Sequence, residues 1–253
     1  MIEATRLTSR DARHQRSYDD LQRLYARYAP RYDRQFARYN DRTLAAALDA
    51  IVRPPQRVVD VACGTGLLAE RIRHRWPLAA LIGIDLSAAM LEQARRRLPP
   101  TDGDEHRGPL VWRLGNAEHL PVESGWADTL ICTNAFHLVQ DPTAALSEFR
   151  RVLGEDGTLV IVDWCADHLS MRLVVPALGL LRPQRRKVWP LERLTQALRA
   201  AGFGIVRQER FKVGPSWGLM TVVGATEGPK GRGPRAGQGR SPHDVVGSGG
   251  VAR

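Results

Sequence analysis

Two aspartates and two glycines are the residues whose spacing most clearly suggests chemistry. Asp60 lies near the end of a short apolar run, and Gly64 and Gly66 follow it, just before a helical pattern begins at Leu67. A strand, a tight glycine turn and a helix N-terminus form a nucleotide site, because glycines allow close backbone approach and the first helical N–H groups point at the ligand. Asp85, 19 residues after Gly66 at the end of a second apolar run, stands where a carboxylate binds both hydroxyls of a ribose.

This spacing fits two classes of cofactor. Gly64-x-Gly66-x-x-Ala69 also satisfies the relaxed dinucleotide fingerprint, so an enzyme using a nicotinamide cofactor and one using S-adenosylmethionine both remain open. Asp60 favours the second class, since a carboxylate at a strand end suits a ligand with a cationic amino group and would repel a pyrophosphate at close range.

The sequence here resembles the class I S-adenosylmethionine-dependent methyltransferases, nearest to the branch that includes the quinone-biosynthesis C-methyltransferases. The first motif of that family is an acid followed by a Gly-x-Gly-x-Gly-like loop. The stretch from Val58 to Gly66 reads VVDVACGTG, with Ala62 at the first glycine position. This departure is mild in size, because alanine is the next smallest residue. The resemblance implies an α/β fold, a Rossmann-like seven-stranded sheet with helices on both faces and an antiparallel last strand.

Alternating strands and helices must position these residues. Strands are expected near Val58 and Ala79–Asp85, and then at Leu110–Leu114, Ala127–Thr133, Thr158–Asp163, Gly204–Val213 and Trp217–Ala225. Helices are expected at Leu67–Arg75, Ala88–Leu98, Leu191–Ala201 and from Asp141 onward, with Ser87 as a cap. The last two strands are joined by a turn too short for a parallel crossover, so they must run antiparallel. This favours the methyltransferase sheet over an all-parallel dinucleotide fold.

Composition divides the chain into three segments. They are an N-terminal helical lid (residues 1–40), a methyltransferase domain (residues 41–226) and a tail rich in glycine, proline and arginine (residues 227–253). The tail has almost nothing to bury and is expected to be disordered. Within the domain, residues 165–187 read as an apolar insertion with breaks at Pro176 and Pro183, and the resemblance implies that it caps the substrate pocket.

The resemblance also implies cofactor-binding roles. Asp60 would favour the ammonium group, Gly64 and Gly66 would lie against the methionine portion with Ala62, and Asp85 would bind the ribose. Further implied residues lie at the following strand ends: Leu86 and Met90 over the adenine ring, Asn116 and Ala117 at its exocyclic amine, and Asn134 facing the methyl group. Asn116 also has a structural interpretation, as an ordinary turn residue after Gly115.

Methyl transfer is an in-line displacement, so alignment and exclusion of water can supply most of the catalysis. A base is required only where the acceptor must lose a proton. His137 at the sheet edge is the candidate base, with turn capping as the alternative. Tyr32, in the stretch YAPRYDR, is the candidate lid residue, with plain aromatic packing as the alternative. No metal-ligand spacing appears, and no metal is expected.

The formal charge of +10 on 253 residues raises the question of an anionic partner. Nucleic acid is disfavoured, because the basic residues are scattered except at Arg95–Arg97 and residues 182–187, and no reading module is present. No apolar run approaches membrane-spanning length and the N-terminus lacks the apolar centre of a signal peptide, so a cytoplasmic protein is expected.

The expected acceptor is a small, hydrophobic molecule. A quinone-like or lipid-like compound fits the apolar insertion, which would also suit peripheral contact with an anionic membrane surface. His137-Leu138, where the quinone enzymes carry Arg-Asn, weakens a quinone assignment. Two other functions stay open, a cofactor-binding accessory protein without catalysis and an NAD(P)-dependent oxidoreductase. No sequence pattern indicates an oligomeric state.

Overall fold

The computed structural model describes residues 9–181 and 188–226. The predicted tail, the end of the apolar insertion and the first eight residues lie outside these ranges. The helices are α1 (Ser9–Tyr28), α2 (Tyr32–Gln35), α3 (Ala37–Asp49), α4 (Leu67–Arg75), α5 (Ala88–Arg97), α6 (Pro142–Val152), α7 (Met171–Leu181) and α8 (Leu191–Ala200), with 3-10 turns at Ala29–Arg31 and Phe136–Leu138. The strands are β1 (Arg57–Val61), β2 (Ala80–Asp85), β3 (Leu110–Leu114), β4 (Ala127–Thr133), β5 (Leu153–Trp164), β6 (Phe203–Val213) and β7 (Trp217–Thr226).

The seven strands form one sheet in the order β3-β2-β1-β4-β5-β7-β6. Strands β1 to β5 are parallel, whereas β7 runs antiparallel to both of its neighbours. The predicted fold is therefore confirmed, including the closing antiparallel hairpin. Because β1 and β4 are central, the carboxyl ends of four neighbouring strands meet at one edge of the sheet, where α/β proteins place their ligands.

Helices cover both faces of the sheet, which explains why the central strands read as continuous apolar runs. On one face, α3, α4 and α5 bury side chains such as Leu44, Ile72 and Leu91 against the sheet. On the other face, α6 and α8 bury Phe149 and Leu198. The sequence pattern predicted these layers because both faces of the sheet must be shielded from water.

Two elements, β5 and α7, differ from the sequence expectation, and Pro30 lies just after the end of the first helix. Helix α1 begins at Ser9, and Pro30 falls in the 3-10 turn between α1 and α2, where its fixed φ is compatible with the helical path. Strand β5 begins at Leu153, earlier than the expected start at Thr158. Pro176 does not break α7 but lies inside it. Proline removes the hydrogen bond to the carbonyl of Arg172, four residues earlier, and Arg172 is exposed.

No helix in the described ranges, α7 included, is long and apolar enough to cross a membrane.

Trp112 of β3 connects the sheet to the glycine turn. Its ring crosses β2 so closely that a Cβ at Gly83 would lie 2.2 Å from Cζ3, and its far edge would lie 3.0 Å from a Cβ at Gly66. The indole Nε1 donates to the Leu98 carbonyl at 2.9 Å. Two glycines thus make room for one buried ring, and the ring supports the turn between β1 and α4 from below.

The variant Gly83→Ala should destabilise the protein by about 1 to 3 kcal/mol, because the added methyl group overlaps the Trp112 ring. Chemical denaturation measures the loss. In a Trp112→Leu background the same substitution should cost clearly less, since the obstructing ring is gone. An equal cost in both backgrounds would contradict the packing explanation.

Candidate functional site

A cleft lies at the carboxyl ends of β1 to β4, between the sheet and the N-terminal helices α1 and α2. It encloses about 840 Å³, counted together with the solvent at its mouth. Most of the residues expected from the sequence line it: Tyr32, Ala62, Gly64, Asp85, Leu86, Met90, Asn116, Ala117 and Asn134. Three others, Asp60, Gly66 and His137, are not among the described lining residues. Most of the residues predicted for the site therefore lie close together in the structure, and the other three have different surroundings.

The turn after β1 has an unusual backbone, with φ values of +58° at Ala62, +56° at Gly64 and +80° at Gly66. A Cβ at Gly64 would meet no atom within 4 Å, so this glycine opens onto the cleft. Gly66 instead caps α4 and packs on Trp112, which is a structural reason for glycine. Ala62 costs about 1 kcal/mol or more in this left-handed region. Alanine in place of the family's glycine is therefore a larger change for the backbone conformation at this position than for side-chain size.

Asp85 holds the turn and faces the cleft. Its Oδ2 accepts from the Gly64 N–H at 2.8 Å, and its Oδ1 accepts from the Ser87 N–H at 2.8 Å. Apart from the side that faces the cleft, the Asp85 carboxyl is surrounded by protein. This burial raises its pKa to about 6, although hydrogen bonds from backbone N–H groups act to lower it. At neutral pH it is a carboxylate with lone pairs left for two hydroxyl groups of a ligand.

Asp60 is 1% exposed, and neither carboxyl oxygen has a hydrogen-bond partner among the described residues. Burial, and then the nearby charge of Asp85, raise its pKa well above the usual value. An unpaired buried acid is costly and rare, so it calls for a partner from outside the chain. The observation fits the cationic amino group that the sequence indicates for the ligand, reached directly or through water.

Asn116 has the surroundings expected both of a ligand-binding residue and of a turn residue. It lines the cleft, and its Oδ1 accepts from the Glu118 N–H at 3.1 Å, as a turn residue would. The second lone pair of this oxygen stays available, because an amide oxygen can accept twice. Ala117 lines the cleft beside it while packing on the core.

Asn134 adopts a φ of +58°, and its side-chain amide is already engaged. Its Oδ1 accepts from the Tyr39 hydroxyl at 2.8 Å, and its Nδ2 donates to Thr43 Oγ1 at 2.9 Å. The Tyr39 hydroxyl also accepts from Trp164 Nε1 at 2.9 Å. Helix α3 thus fixes the left-handed end of β4. Sequence reasoning missed Tyr39, which lies 95 residues from Asn134 and had no local signal.

His137 is buried beside the cleft rather than lining it. Its Nδ1 is 2.6 Å from Asp163 Oδ1, its backbone N–H donates to Asp163 Oδ2 at 2.7 Å, and its ring stacks on Trp164 at 4.1 Å. These contacts join the 3-10 turn after β4 to the end of β5. They match the structural alternative, in which the residue secures a turn, better than a base that faces an acceptor.

The N-terminal helices form the roof of the cleft. The roof side chains are Tyr18, Leu21, Gln22, Tyr25 and Tyr32. Burial raises the pKa of Tyr32 above its usual value, so its phenol stays neutral. Its ring centroid lies 5.0 Å from that of Phe36, so Tyr32 has both of its predicted surroundings, the cleft and an aromatic cluster. Gln22, whose Nε2 donates to the Leu86 carbonyl at 3.0 Å, gave no sequence signal.

The variant Asp60→Asn should change how the stability of the ligand-free protein depends on pH. The native pKa of Asp60 is raised, so the native state holds the proton more tightly than the unfolded chain, and stability is lost as pH rises toward that pKa. Thermal unfolding at pH 4 should be similar for both proteins, whereas at pH 8 the variant should gain about 1 kcal/mol or more. The exposed control Asp102→Asn should show no such gain. A pH-independent difference would contradict a buried charge.

Comparison with known proteins identifies the family. A profile described as a methyltransferase domain matches residues 59–161. The demethylmenaquinone methyltransferase of Deinococcus radiodurans is 31% identical over 208 residues, which cover 72% of this chain and 84% of that protein. The trans-aconitate 2-methyltransferase of Pseudomonas aeruginosa is 34% identical over 163 residues, which cover 63% of this chain and 55% of that protein.

Solved structures agree on the fold. An S-adenosylmethionine-dependent methyltransferase from Thermotoga maritima superimposes with a TM-score of 0.65 at 20% identity, over 81% of this chain and 99% of that one. The nicotinamide alternative is excluded by these relationships together with the antiparallel last strand. The chain belongs to the class I S-adenosylmethionine-dependent methyltransferases, and S-adenosylmethionine is its methyl donor.

Proposed function

We propose that this methyltransferase acts on a small, hydrophobic acceptor that meets the methyl group beneath the aromatic roof of the cleft. The observation that carries the proposal is the character of the cleft wall. Asp85 is the only acidic or basic side chain among the described lining residues, and the roof is built largely from Leu21, Tyr25 and Tyr32. Such a wall favours an uncharged, apolar group, because no cation is present to balance a carboxylate.

The two relatives support different acceptors. The Pseudomonas enzyme is named for trans-aconitate, which carries several carboxylates, and the Deinococcus enzyme for demethylmenaquinone, which is hydrophobic. Binding a polycarboxylate requires cations near the reacting centre. The described cleft lining offers no arginine, lysine or histidine for this purpose. We therefore favour acceptors of the hydrophobic kind.

The cofactor roles follow the positions around the cleft. Asp60 favours the ammonium group, Asp85 binds the ribose hydroxyls, and Asn116 accepts from the adenine amine. Leu86 and Met90 cover the adenine ring. Bound S-adenosylmethionine supplies an electrophilic methyl group on a positively charged sulfur, and the protein's part is to align the acceptor and exclude water.

The remaining residues complete the proposed wall. Gly64, Ala62 and Ala117 contribute backbone and small side chains that leave space for the ligand, and Tyr32 closes the roof. Asn134, whose amide is engaged by α3, contributes its backbone at the methyl end. His137 holds this end of the sheet in place through Asp163.

The apolar insertion supplies a second argument for a hydrophobic acceptor. Leu169 and Leu173 are 73% and 78% exposed near the start of α7, and Arg172 lies exposed between them. Exposed leucines beside a cation suit transfer of a lipid-like molecule from an anionic surface. We propose the apolar insertion, of which residues 165–181 are described, as the cap through which such an acceptor enters.

Calorimetric titration tests the cofactor site. The protein should bind S-adenosylmethionine and its demethylated product but not NAD. Asp85→Ala should weaken S-adenosylmethionine binding by tens-fold or more, because each hydrogen bond to the carboxylate contributes about 1.5 to 3 kcal/mol. The surface variant Asp102→Ala is the matched control and should bind as the wild type does. Unchanged affinity in Asp85→Ala would remove the ribose assignment.

Transfer of labelled methyl groups into a fractionated metabolite and lipid extract tests the acceptor. The label should appear in the fraction that partitions into organic solvent. Label confined to water-soluble carboxylic acids would contradict the hydrophobic assignment.

Cofactor affinity should also depend on pH. The pKa of Asp85 is raised to about 6, so lowering the pH through this value protonates the carboxylate and removes an acceptor of the ribose hydroxyls. Titrations between pH 5 and pH 8 should show affinity falling on the acid side. Asp85→Ala should lose most of this dependence. A pH-independent wild-type affinity would contradict ribose binding by an ionised Asp85.

A further inference from the structure

Asp33, the residue after Tyr32, joins the roof of the cleft to the glycine turn. Its Oδ1 accepts from Thr65 Oγ1 at 2.5 Å, and its Oδ2 pairs with Nη2 of Arg97 at the end of α5. Thr65 is buried between the two glycines of the turn. One carboxylate on α2 therefore holds both the turn that faces the cofactor and a helix behind it.

Arg97 completes a closed set of contacts. Its Nε donates to the Thr65 carbonyl at 3.0 Å, and its Nη1 donates to Glu70 Oε2 at 2.7 Å. The Arg97 and Asp33 side chains are 24% and 36% exposed, so water screens the pair only in part. We call Asp33, Thr65 and Arg97 the roof latch. Arg97, the last residue of the basic triplet, thus reaches from α5 to Asp33 on α2.

The roof latch contacts the same turn, after β1, that the proposed cofactor site uses. Thr65 is bonded to Asp33, and the adjacent Gly64 donates its N–H to Asp85. Tyr32, one residue from Asp33, lines the cleft. Asp85, the proposed ribose-binding residue, and Asp33 of the roof are therefore hydrogen-bonded to two neighbouring residues of one short turn, Gly64 and Thr65.

The roof side chains line one side of the cleft, so their position affects how a bound cofactor leaves through the mouth. Helix α1 is anchored farther along the cleft, where Gln22 binds the Leu86 carbonyl and Tyr18 binds Glu118. Helix α2 has only four residues and little intrinsic stability of its own. The roof is thus held by tertiary contacts, and the roof latch is the charged contact at its α2 end.

We propose that Asp33 and Arg97 are positioning residues that hold Tyr32 over the bound cofactor and set the rate at which cofactor and demethylated product leave. Opening the roof requires separation of the Asp33 carboxylate from Arg97 and Thr65. This inference rests on the proposed cofactor position beside Gly64 and Asp85. It assigns the Tyr-Asp pair two separate tasks, with the ring facing the ligand and the carboxylate fastening the roof.

The dissociation rate of S-adenosylmethionine, measured by stopped-flow displacement, tests the roof latch. Asp33→Asn should raise this rate about tenfold, because the charge-assisted bonds are lost. In the wild type the rate should increase with salt, since ions screen the Asp33–Arg97 pair, and the variant should have lost most of this dependence. Arg97→Gln should raise the dissociation rate by a similar factor. The double variant Asp33→Asn/Arg97→Gln should dissociate little faster than either single variant.

Two matched variants separate the roof latch from a general loss of structure. Thr65→Val should also speed dissociation, and Thr65→Ser, which restores the hydroxyl, should reverse most of the effect. Asp20→Asn removes an acid of α1 that pairs locally with Arg23 at the surface, and should leave the rate unchanged. Equal acceleration by Asp20→Asn, or a wild-type rate in Asp33→Asn, would overturn the proposal while leaving the cofactor assignment intact.

Hydrogen exchange of the ligand-free protein tests the same contacts without any cofactor. Amides of residues 29–36 should exchange faster in Asp33→Asn than in wild type or Asp20→Asn. Unchanged exchange there would overturn the roof latch. Failure of wild-type protein to bind S-adenosylmethionine would instead count against the cofactor position, and the exchange result would still decide whether Asp33 fastens the roof.

Discussion

The hydrogen bond from the Gly64 N–H to Asp85 Oδ2 is the contact on which the site depends. It joins the turn after β1 to the end of β2, two neighbouring parallel strands whose carboxyl ends lie side by side. With that bond in place, one carboxylate orients the turn and still presents lone pairs to the cleft. The surrounding features, including the left-handed backbone and the Trp112 ring beneath the turn, keep the donor where the carboxylate can reach it.

Two acids close together without a nearby cation are expensive in a protein interior. Desolvation raises the pKa of both Asp60 and Asp85, and the charge of Asp85 raises that of Asp60 further. In the proposed complex, the cationic ligand supplies the missing charge. Two perturbed carboxyls in one cleft are typical of a site whose residue types serve binding rather than folding.

The local signals in the sequence were sufficient for the sheet, the glycine turn and Asp85. Strand-length apolar runs, a glycine pair before a helix and a short turn between the last strands each depend on residues close in sequence. The contacts that shape the roof are of another kind. Asp33 and Arg97 are 64 residues apart, and Tyr39 and Asn134 are 95 apart, and nothing in either residue's neighbours indicates its partner. Gly66 was predicted from its place in the glycine turn, and its contact with a ring on β3 had no signal near it in the sequence.

The position of β7 has a consequence for the order in which the chain can fold. β7 is the last strand in sequence among those described, yet it lies between β5 and β6 and bonds to both. The five parallel strands precede both strands of the hairpin in sequence, and among the described strands β6 pairs with β7 alone, which follows it. Its apolar residues, Phe203 among them, must wait for β7. Along the described chain, the strands that form the cofactor edge are therefore complete before the strand that attaches β6 to the sheet.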